Sequence, residues 1–562
     1  MRRLATGIVL TLCAAGARGA DPPAPVALRD DETVVFYGDS ITEQNLYSEY
    51  LETFFVSRFP AKRVASFNLG WGGDTARGGR ERYARDVAPV RPTLVFVDFG
   101  MNDGGYKPFQ QAVYDGYLAA QKEFAAEIAR TGARQVLFTT SPIDPDRRPD
   151  GDAYNGMLAR MADGVVRMGG ELGVPVIDLF HPMLEVQRRA KEQQPGFTMI
   201  PDSVHPDPVG HLVMAYLAMR GIDAPRVVGE IAVKEGKVEA TGGASVSAVG
   251  PRYGGTELGL GLQFLPFYVP PEARPALRLV PIEDELNRFR LRADVGATGA
   301  EKWAVSVDGA TAGTFTRSEL AAGVDLALLD RAPWCEAGRK LWEAAQYRWQ
   351  KHFEAWRRMA LAPSPTMLPE LPTFAPFAAA QRAHADAMGR GLQALAQPGR
   401  YRVLIGPVGE AVPVASVALS PTYPFNSEFD RAHPPETDPR AVQWKEAGFQ
   451  GGRIDLGAQY TGASNVVAYA RVDVEADADC GLHLSMGSDD GLAVFLDGKR
   501  VFAKDVRRGL RPGEDELLVD LARGRHALLF KVTQEGGDFG LAVEAQVYGT
   551  AHVRAVAPAP SR

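Results

Sequence analysis

Between about Asp31 and Gly221, short apolar runs alternate with amphipathic stretches, and no other feature of the chain restricts its fold as much. Val34–Tyr37, Val64–Asn68, Leu94–Phe99, Gln135–Thr139 and Val174–Asp178 read as strands. Tyr47–Phe59, Ala112–Thr131, Ala153–Leu172 and Pro208–Met219 read as helices. Helix-length connections return the chain to the same end of a sheet. The strands are therefore expected to run parallel, with helices on both faces. Sheets of this kind gather their functional groups at the carboxyl ends of the strands. Ser40, Gly73 and Asn102 each follow one of these strands.

Beyond residue 222 the texture changes. Ile231–Val233, Val238–Ala240, Leu277–Pro281, Phe289–Ala293 and Trp303–Val307 read as short strands, with a hairpin turn at Asp308-Gly309. Residues 333–398 read as helical and Pro-interrupted, with Trp342, Trp349 and Trp356 on one helix face, a spacing typical of packing against a neighbour. From Tyr401 the chain is β-rich again. Val466–Val474, Leu482–Ser485, Leu492–Leu496 and Ala527–Val532 alternate in and out, and Asp497-Gly498 makes a further hairpin turn. The expected organisation is a leader at 1–20, an α/β domain at 29–222, a small β domain at 224–332, a helical segment at 333–398, a β-sandwich at 401–550 and a frayed tail at 551–562.

The start of the chain reads as a secretion signal. Arg2 and Arg3 precede an apolar centre, Leu4 to Ala15, and small residues offer cleavage at 17 or 20. A secreted or periplasmic location is the expectation. Cleavage removes Cys13 and leaves Cys335 and Cys480, which read as two buried thiols, a single bridge between them staying open. A formal net charge of −7 argues against nucleic acid as a partner. No later apolar run is long enough to span a bilayer.

Acyl transfer at a serine needs a nucleophile, a base, a group that orients the base, and donors for the oxyanion. Taken alone, Gly38-Asp39-Ser40 reads as a helix cap. Three downstream stretches change that reading. Ser40 is the candidate nucleophile, His205 the base, and Asp202 the group that holds the imidazole. The Ser40 and Gly73 amides and the Asn102 side chain are the candidate oxyanion donors. Gly73 stands where a glycine permits positive φ and close approach to substrate. His211 reads as structural. His181 has Asp178 three residues before it but lacks the Pro-x-x-Gly run that follows His205. Asp39 and Asp103 flank the site, either bracing turns or lining the pocket, and Trp71, Tyr106 and Phe109 are candidate walls.

Four blocks in this order, Gly38-Asp39-Ser40, Gly73 in Gly-Gly-Asp-Thr, Asn102 in Gly-Met-Asn-Asp, and Asp202-x-x-His205, resemble the SGNH hydrolases, whose lipolytic members carry a Gly-Asp-Ser-Leu motif. Ile41 replaces the leucine. The resemblance covers about residues 30–220 and implies a flavodoxin-like three-layer α/β/α sandwich and metal-free ester hydrolysis through an acyl-enzyme. Further on, Gly487 to Lys499 resembles the β-sandwich module named after anthrax protective antigen and galactose-binding-like jelly rolls. Some sugar-binding members hold calcium on an aspartate pair, so Asp489 and Asp490 become candidates for calcium, against a plain Asp-stabilised turn. The expected activity is hydrolysis of short acyl esters, O-acetyl foremost, on carbohydrate, with a glycan as a candidate ligand of the sandwich. A lipase or thioesterase for longer chains and a non-catalytic glycan-binding surface protein are the alternatives.

Overall fold

Val34, Val35, Phe36 and Tyr37 are fully buried, as a central strand covered on both faces requires. The computed structural model describes residues 25–296, 300–360 and 374–557. The expected leader with Cys13, and residues 558–562 of the expected tail, lie outside the described residues. Strands β1 (Glu32–Gly38), β2 (Val64–Asn68), β3 (Leu94–Asp98), β4 (Arg134–Phe138) and β5 (Val176–Ile177) form a parallel sheet in the order β2-β1-β3-β4-β5. This is the flavodoxin-like order.

Alternate side chains of β1 serve opposite faces, as the strand period dictates. Phe36 meets Tyr47 of helix α2 (Leu46–Arg58), which follows the single turn α1 (Ser40–Glu43). Tyr37 meets Tyr83 of α3 (Ala76–Asp86) and Phe124 of α4 (Gln111–Arg130). Helices α3, α4 and α5 (Gly151–Leu172) pack in succession on one face. After α6 (Phe180–Gln193), α7 (Pro208–Arg220) returns to pack with α2 on the other. Sequence reading overlooks α3 because Gly78 and Gly79 weaken its helical signal. Gly79 is there for close approach, since a Cβ on it would come within 2.4 Å of the Phe99 ring.

The β-rich remainder departs from the expected boundaries. Val227–Lys234, Lys237–Thr241, Arg288–Ala293 and Val324–Asp325 make a small sheet of their own. The long strand Arg400–Val412 pairs through its first half with Gly255–Leu262 and Lys302–Val307, and through its second with Gly540–Tyr548. One sheet therefore runs across the boundary expected between residues 332 and 401. It faces a second sheet built on Val466–Ala476 and Gly524–Gln534, with Leu482, Leu484, Phe530 and Val547 in the core between them. The hairpins at Asp308-Gly309 and Asp497-Gly498 form as expected. Leu277–Pro281 is not a strand. Pro271–Arg278 winds as a 3₁₀ stretch, because Pro275 and Pro281 cannot donate to a ladder. The tail is not frayed throughout either, since Val553–Val556 pairs with the end of Val466–Ala476. Cys335 and Cys480 are both buried and free. Among the described residues no helix is long and apolar enough to cross a membrane.

The tryptophan face of the helix Pro333–Ala360 lies against the parallel sheet's domain. Trp342 stacks on Tyr50 at 4.9 Å, Trp349 meets Phe36 at 6.3 Å and Trp356 meets Trp71 at 6.0 Å. Within that seam Arg348, fully buried, pairs with buried Glu52 and donates to the Ser66 carbonyl at 3.0 Å. Removing one partner strands the other charge. Arg348→Met is expected to cost about 3–5 kcal/mol in urea unfolding, with Glu52→Leu added to it restoring most of the loss. Burial, and then the neighbouring Glu52 charge, push the Glu49 carboxyl up to about 8. The folded chain thus keeps a proton that the unfolded chain releases, and stability should fall as pH rises from about 4.5 to about 8. The same titration of Glu49→Gln should lack this component of the fall.

Candidate active site

Ser40 stands at the first position of α1, directly after β1, where Asp39 caps the turn by accepting from the Ile41 amide at 3.0 Å. His205 comes from the loop before α7. Its Nε2 lies 2.8 Å from Ser40 Oγ, and its Nδ1 lies 2.6 Å from Asp202 Oδ2. A carboxylate only accepts, so Nδ1 carries the hydrogen and Nε2 keeps a lone pair for the serine proton. Asp202 Oδ1 also accepts from the Val204 and His205 amides at 2.9 and 2.7 Å. Burial would raise the Asp202 carboxyl, but the His205 amide and imidazole and the Val204 amide together hold it below the usual carboxylate range. It stays charged opposite the imidazole. The loop is pinned at Ser203, whose backbone takes φ of 78° and whose hydroxyl donates to the Asp144 carbonyl at 3.0 Å.

The loop after β2 passes beside Ser40. A Cβ on Gly72 would sit 3.8 Å from the Ser40 Cβ, and Gly73 adopts φ of 77°, the conformation expected for it. Asn102, after β3, donates through Nδ2 to the Asp74 carbonyl at 2.9 Å and accepts at Oδ1 from the Tyr106 hydroxyl at 3.0 Å. Its orientation is thereby fixed, and the second Nδ2 hydrogen remains for a ligand. The Tyr106 ring is half-buried under the Arg148 guanidinium, 4.6 Å from the ring centre.

Asp39 and Asp103, expected either to brace turns or to line the pocket, both accept from backbone amides. Asp39 is buried next to Ser40 in the chain, and the Asp103 carboxylate accepts from the Ala76 amide at 3.0 and 3.2 Å. A buried carboxylate needs such donors to offset its desolvation. Burial first, then the charge of Asp98, raises the Asp39 carboxyl, and burial pushes Asp98 and Asp103 up to about 7. Trp71 is half-buried against Trp356, and Phe109 lies 4.1 Å beneath the Arg160 guanidinium. His211 is fully buried with Nε2 2.8 Å from Gln44 Oε1, and burial pushes its pKa down to about 3, so it remains a neutral packing residue. His181 pairs with Asp178 at 2.9 Å and with Asp163 at 3.6 Å. In the sandwich, Asp490 accepts from the Arg508 and Glu535 amides, a turn-stabilising use, while burial and then the Asp490 charge push Asp489 up to about 6. Among the described residues no group of three or more His, Cys, Asp or Glu side chains is placed to hold a metal ion.

Two side chains that the motifs do not contain lock these loops together. Arg82, on α3, donates to the Leu69 and Gly38 carbonyls at 2.8 and 3.2 Å and to Asp74 at 2.7 Å, with its guanidinium 4.1 Å over the Tyr37 ring. Asn68 donates to Ser48 Oγ at 2.9 Å and to the Thr42 carbonyl at 2.6 Å, and accepts from the Gly70 amide at 2.9 Å. An arginine in a charged helix carries no local signal of this role.

Parts of the chain resemble known proteins. Residues 36–213 match the sequence model of the GDSL-like Lipase/Acylhydrolase family, the domain of a carboxylic ester hydrolase. A gut microbial diltiazem-metabolizing enzyme shares the fold at a TM-score of 0.60 and 20% identity, over 68% of this chain and 99% of its own. Axe2, an acetylxylan esterase from Geobacillus stearothermophilus, aligns at a TM-score of 0.30 and 22% identity, over 34% of this chain and 95% of its own. No curated protein matches the chain. Arg82→Lys keeps a charge beside Asp74 but not the planar fork that reaches two carbonyls. It is expected to lower kcat about tenfold to a hundredfold with little change in KM, read by steady-state ester hydrolysis.

Proposed function

From an acylhydrolase domain whose serine, imidazole and carboxylate are already in line, we propose that this chain is an exported serine esterase that removes short acyl groups, O-acetyl foremost, from carbohydrate. The observation that carries the reading is the continuous path Ser40 Oγ, His205 Nε2, His205 Nδ1, Asp202 Oδ2, with contacts of 2.8 and 2.6 Å. Ser40 Oγ attacks the ester carbonyl as His205 Nε2 takes its proton. Asp202 steadies the imidazolium. The negative charge that develops on the carbonyl oxygen is received by the Ser40 and Gly73 amides and by the free Nδ2 hydrogen of Asn102. His205 then protonates the leaving alcohol, and water, activated by the same imidazole, releases the acid from Ser40.

The carbohydrate part of the reading rests on side chains next to Asn102 and on the loop that carries Gly72. The Tyr106 hydroxyl, the Arg148 guanidinium and the Trp71 ring offer polar groups and amphipathic ring faces, which suit a hydroxyl-rich alcohol better than a long acyl chain. The basic and apolar start of the chain supports export. The aspartate pair of the sandwich supports at most an auxiliary glycan contact.

Ser40→Ala should abolish hydrolysis of para-nitrophenyl acetate and labelling by a fluorophosphonate while leaving urea unfolding unchanged. Asn102→Ala should lower kcat by roughly 10²- to 10³-fold. Across an acyl-chain series, rates should peak at acetate; a peak at long chains would instead mark a lipase or thioesterase. Acetate released from acetylated polysaccharides and from sialic acid esters, measured side by side, identifies the sugar class.

A further inference from the structure

The hydrogen bonds inside the Asp202–His205 loop shape it without placing it. Asp202 accepts from the Val204 and His205 amides, and the Ser203 amide donates to the Ile200 carbonyl at 3.1 Å. Among the described residues, hydrogen bonds leave 202–205 for distant parts of the chain at two points only. One joins His205 Nε2 to Ser40 Oγ, and the other joins Ser203 to Asp144, in the segment after β4. The second is a clamp: the Asp144 amide donates to the Ser203 carbonyl at 3.0 Å, and the Ser203 hydroxyl donates to the Asp144 carbonyl at 3.0 Å. Ile143, one residue earlier, is fully buried, and a single side chain takes both its peptide groups. Asn155 Oδ1 accepts from the Ile143 amide at 3.0 Å, and Asn155 Nδ2 donates to the Ile143 carbonyl at 3.1 Å. Asn155 is buried near the start of α5, and its neighbour Tyr154 donates to the Met101 carbonyl, so this turn is also bonded to the loop after β3. Lys191, on α6, reaches the same segment at 2.6 Å from Asp144 Oδ1 and 2.6 Å from Asp146 Oδ2. It grips carboxylates, not the peptide groups that meet Ser203.

We propose that Asn155 is a positioning residue for the acid–base loop: by holding both peptide groups of Ile143 it fixes the Asp144 backbone, and through the Asp144–Ser203 clamp it sets where the His205 imidazole stands relative to Ser40 Oγ. This rests on Ser40 and His205 being the nucleophile and base of an esterase. On its far side the loop runs into α7, which packs on α2, so the clamp governs the near side. Without the Asn155 amide, two buried peptide groups of Ile143 lose their partners and the segment must shift to find others. Proton transfer needs the imidazole within roughly 2.6–3.2 Å of the hydroxyl, so a small displacement weakens the chemical step. Asn155 is buried and its amide is turned to Ile143. The loss therefore belongs in kcat and not in KM.

The test measures kcat and KM separately on the full chain, with para-nitrophenyl acetate as substrate and a urea midpoint for each variant. Asn155→Leu keeps the volume but makes neither bond, and is expected to lower kcat about tenfold to a hundredfold with KM within about threefold of the parent. Asn155→Asp still accepts from the Ile143 amide but cannot donate to its carbonyl, and should fall between the two. Labelling of Ser40 by a fluorophosphonate should slow in step with kcat, because it draws on the same imidazole. Ser203→Ala removes one bond of the clamp, and combined with Asn155→Leu it should cost less than the product of the two single losses. Lys191→Gln keeps a donor for the carboxylates and should stay within about threefold of the parent kcat. A parent-like kcat in Asn155→Leu, a loss lying in KM, or a Lys191→Gln loss as large as that of Asn155→Leu would overturn the proposal. Should Asn155→Leu lower the urea midpoint, Asn155→Asp and Ser203→Ala decide, and parent-like kcat in both overturns it. Ser40→Ala, assayed in parallel, separates the two readings. Residual turnover there removes the esterase assignment itself, whereas a dead Ser40→Ala with an unmoved Asn155 series removes only the role of Asn155.

Discussion

The Ser40 hydroxyl, the Gly73 amide and the Asn102 side chain come from loops after different strands, and they can act together only if those loops are held rigid relative to one another. Arg82 supplies that constraint. One guanidinium bonds the carbonyl that ends β1, a carbonyl of the loop after β2, and the carboxylate of Asp74, whose own carbonyl receives Asn102. Asn68 ties the same loop to α1 from beneath. Every part of the site except the Asp202–His205 loop is thus one hydrogen-bonded unit. That last loop is anchored separately, through the Ser203–Asp144 pair. Such bonds in a partly dry interior are stronger than in water, and costly to leave half-made.

The rest of the chain is bound to this unit more closely than a bead-like string of domains would be. β2 is an edge strand of the parallel sheet, and an uncovered edge invites pairing with another chain. Here the helices Pro333–Ala360 and Phe374–Leu395 both pack at it. The buried Arg348–Glu52 pair gives that seam its register, since a shifted helix would leave both charges unpaired. Farther out, Arg400–Val412 hydrogen-bonds to strands on both sides of the helical segment, which makes the middle and C-terminal β regions parts of one sheet.

What was legible in the residues, and what was not, follows the range of the forces involved. The strand–helix alternation rests on local periodicity, and the parallel α/β class follows from it, with its functional groups expected at the carboxyl edge. The hairpins at Asp308-Gly309 and Asp497-Gly498 are likewise local. Local patterns also misled. Leu277–Pro281 is apolar enough for a strand, yet its flanking prolines deny it a ladder. The tail residues Val553–Val556 gained their partner from a strand some eighty positions earlier, which no window of sequence displays.

By itself, then, the chain's order of residues determined the class of residues 30–220 and named the serine, histidine and aspartate that meet there, because a strand-to-helix corner and an Asp-x-x-His loop are short-range devices. Only the tertiary structure decided that Arg82 binds the loops together, that Trp356 stands behind Trp71, and that the β regions share a sheet. Each of those depends on groups far apart in sequence being brought to contact by packing. A guanidinium or an indole looks the same in a string of letters whether it faces water or a distant carbonyl.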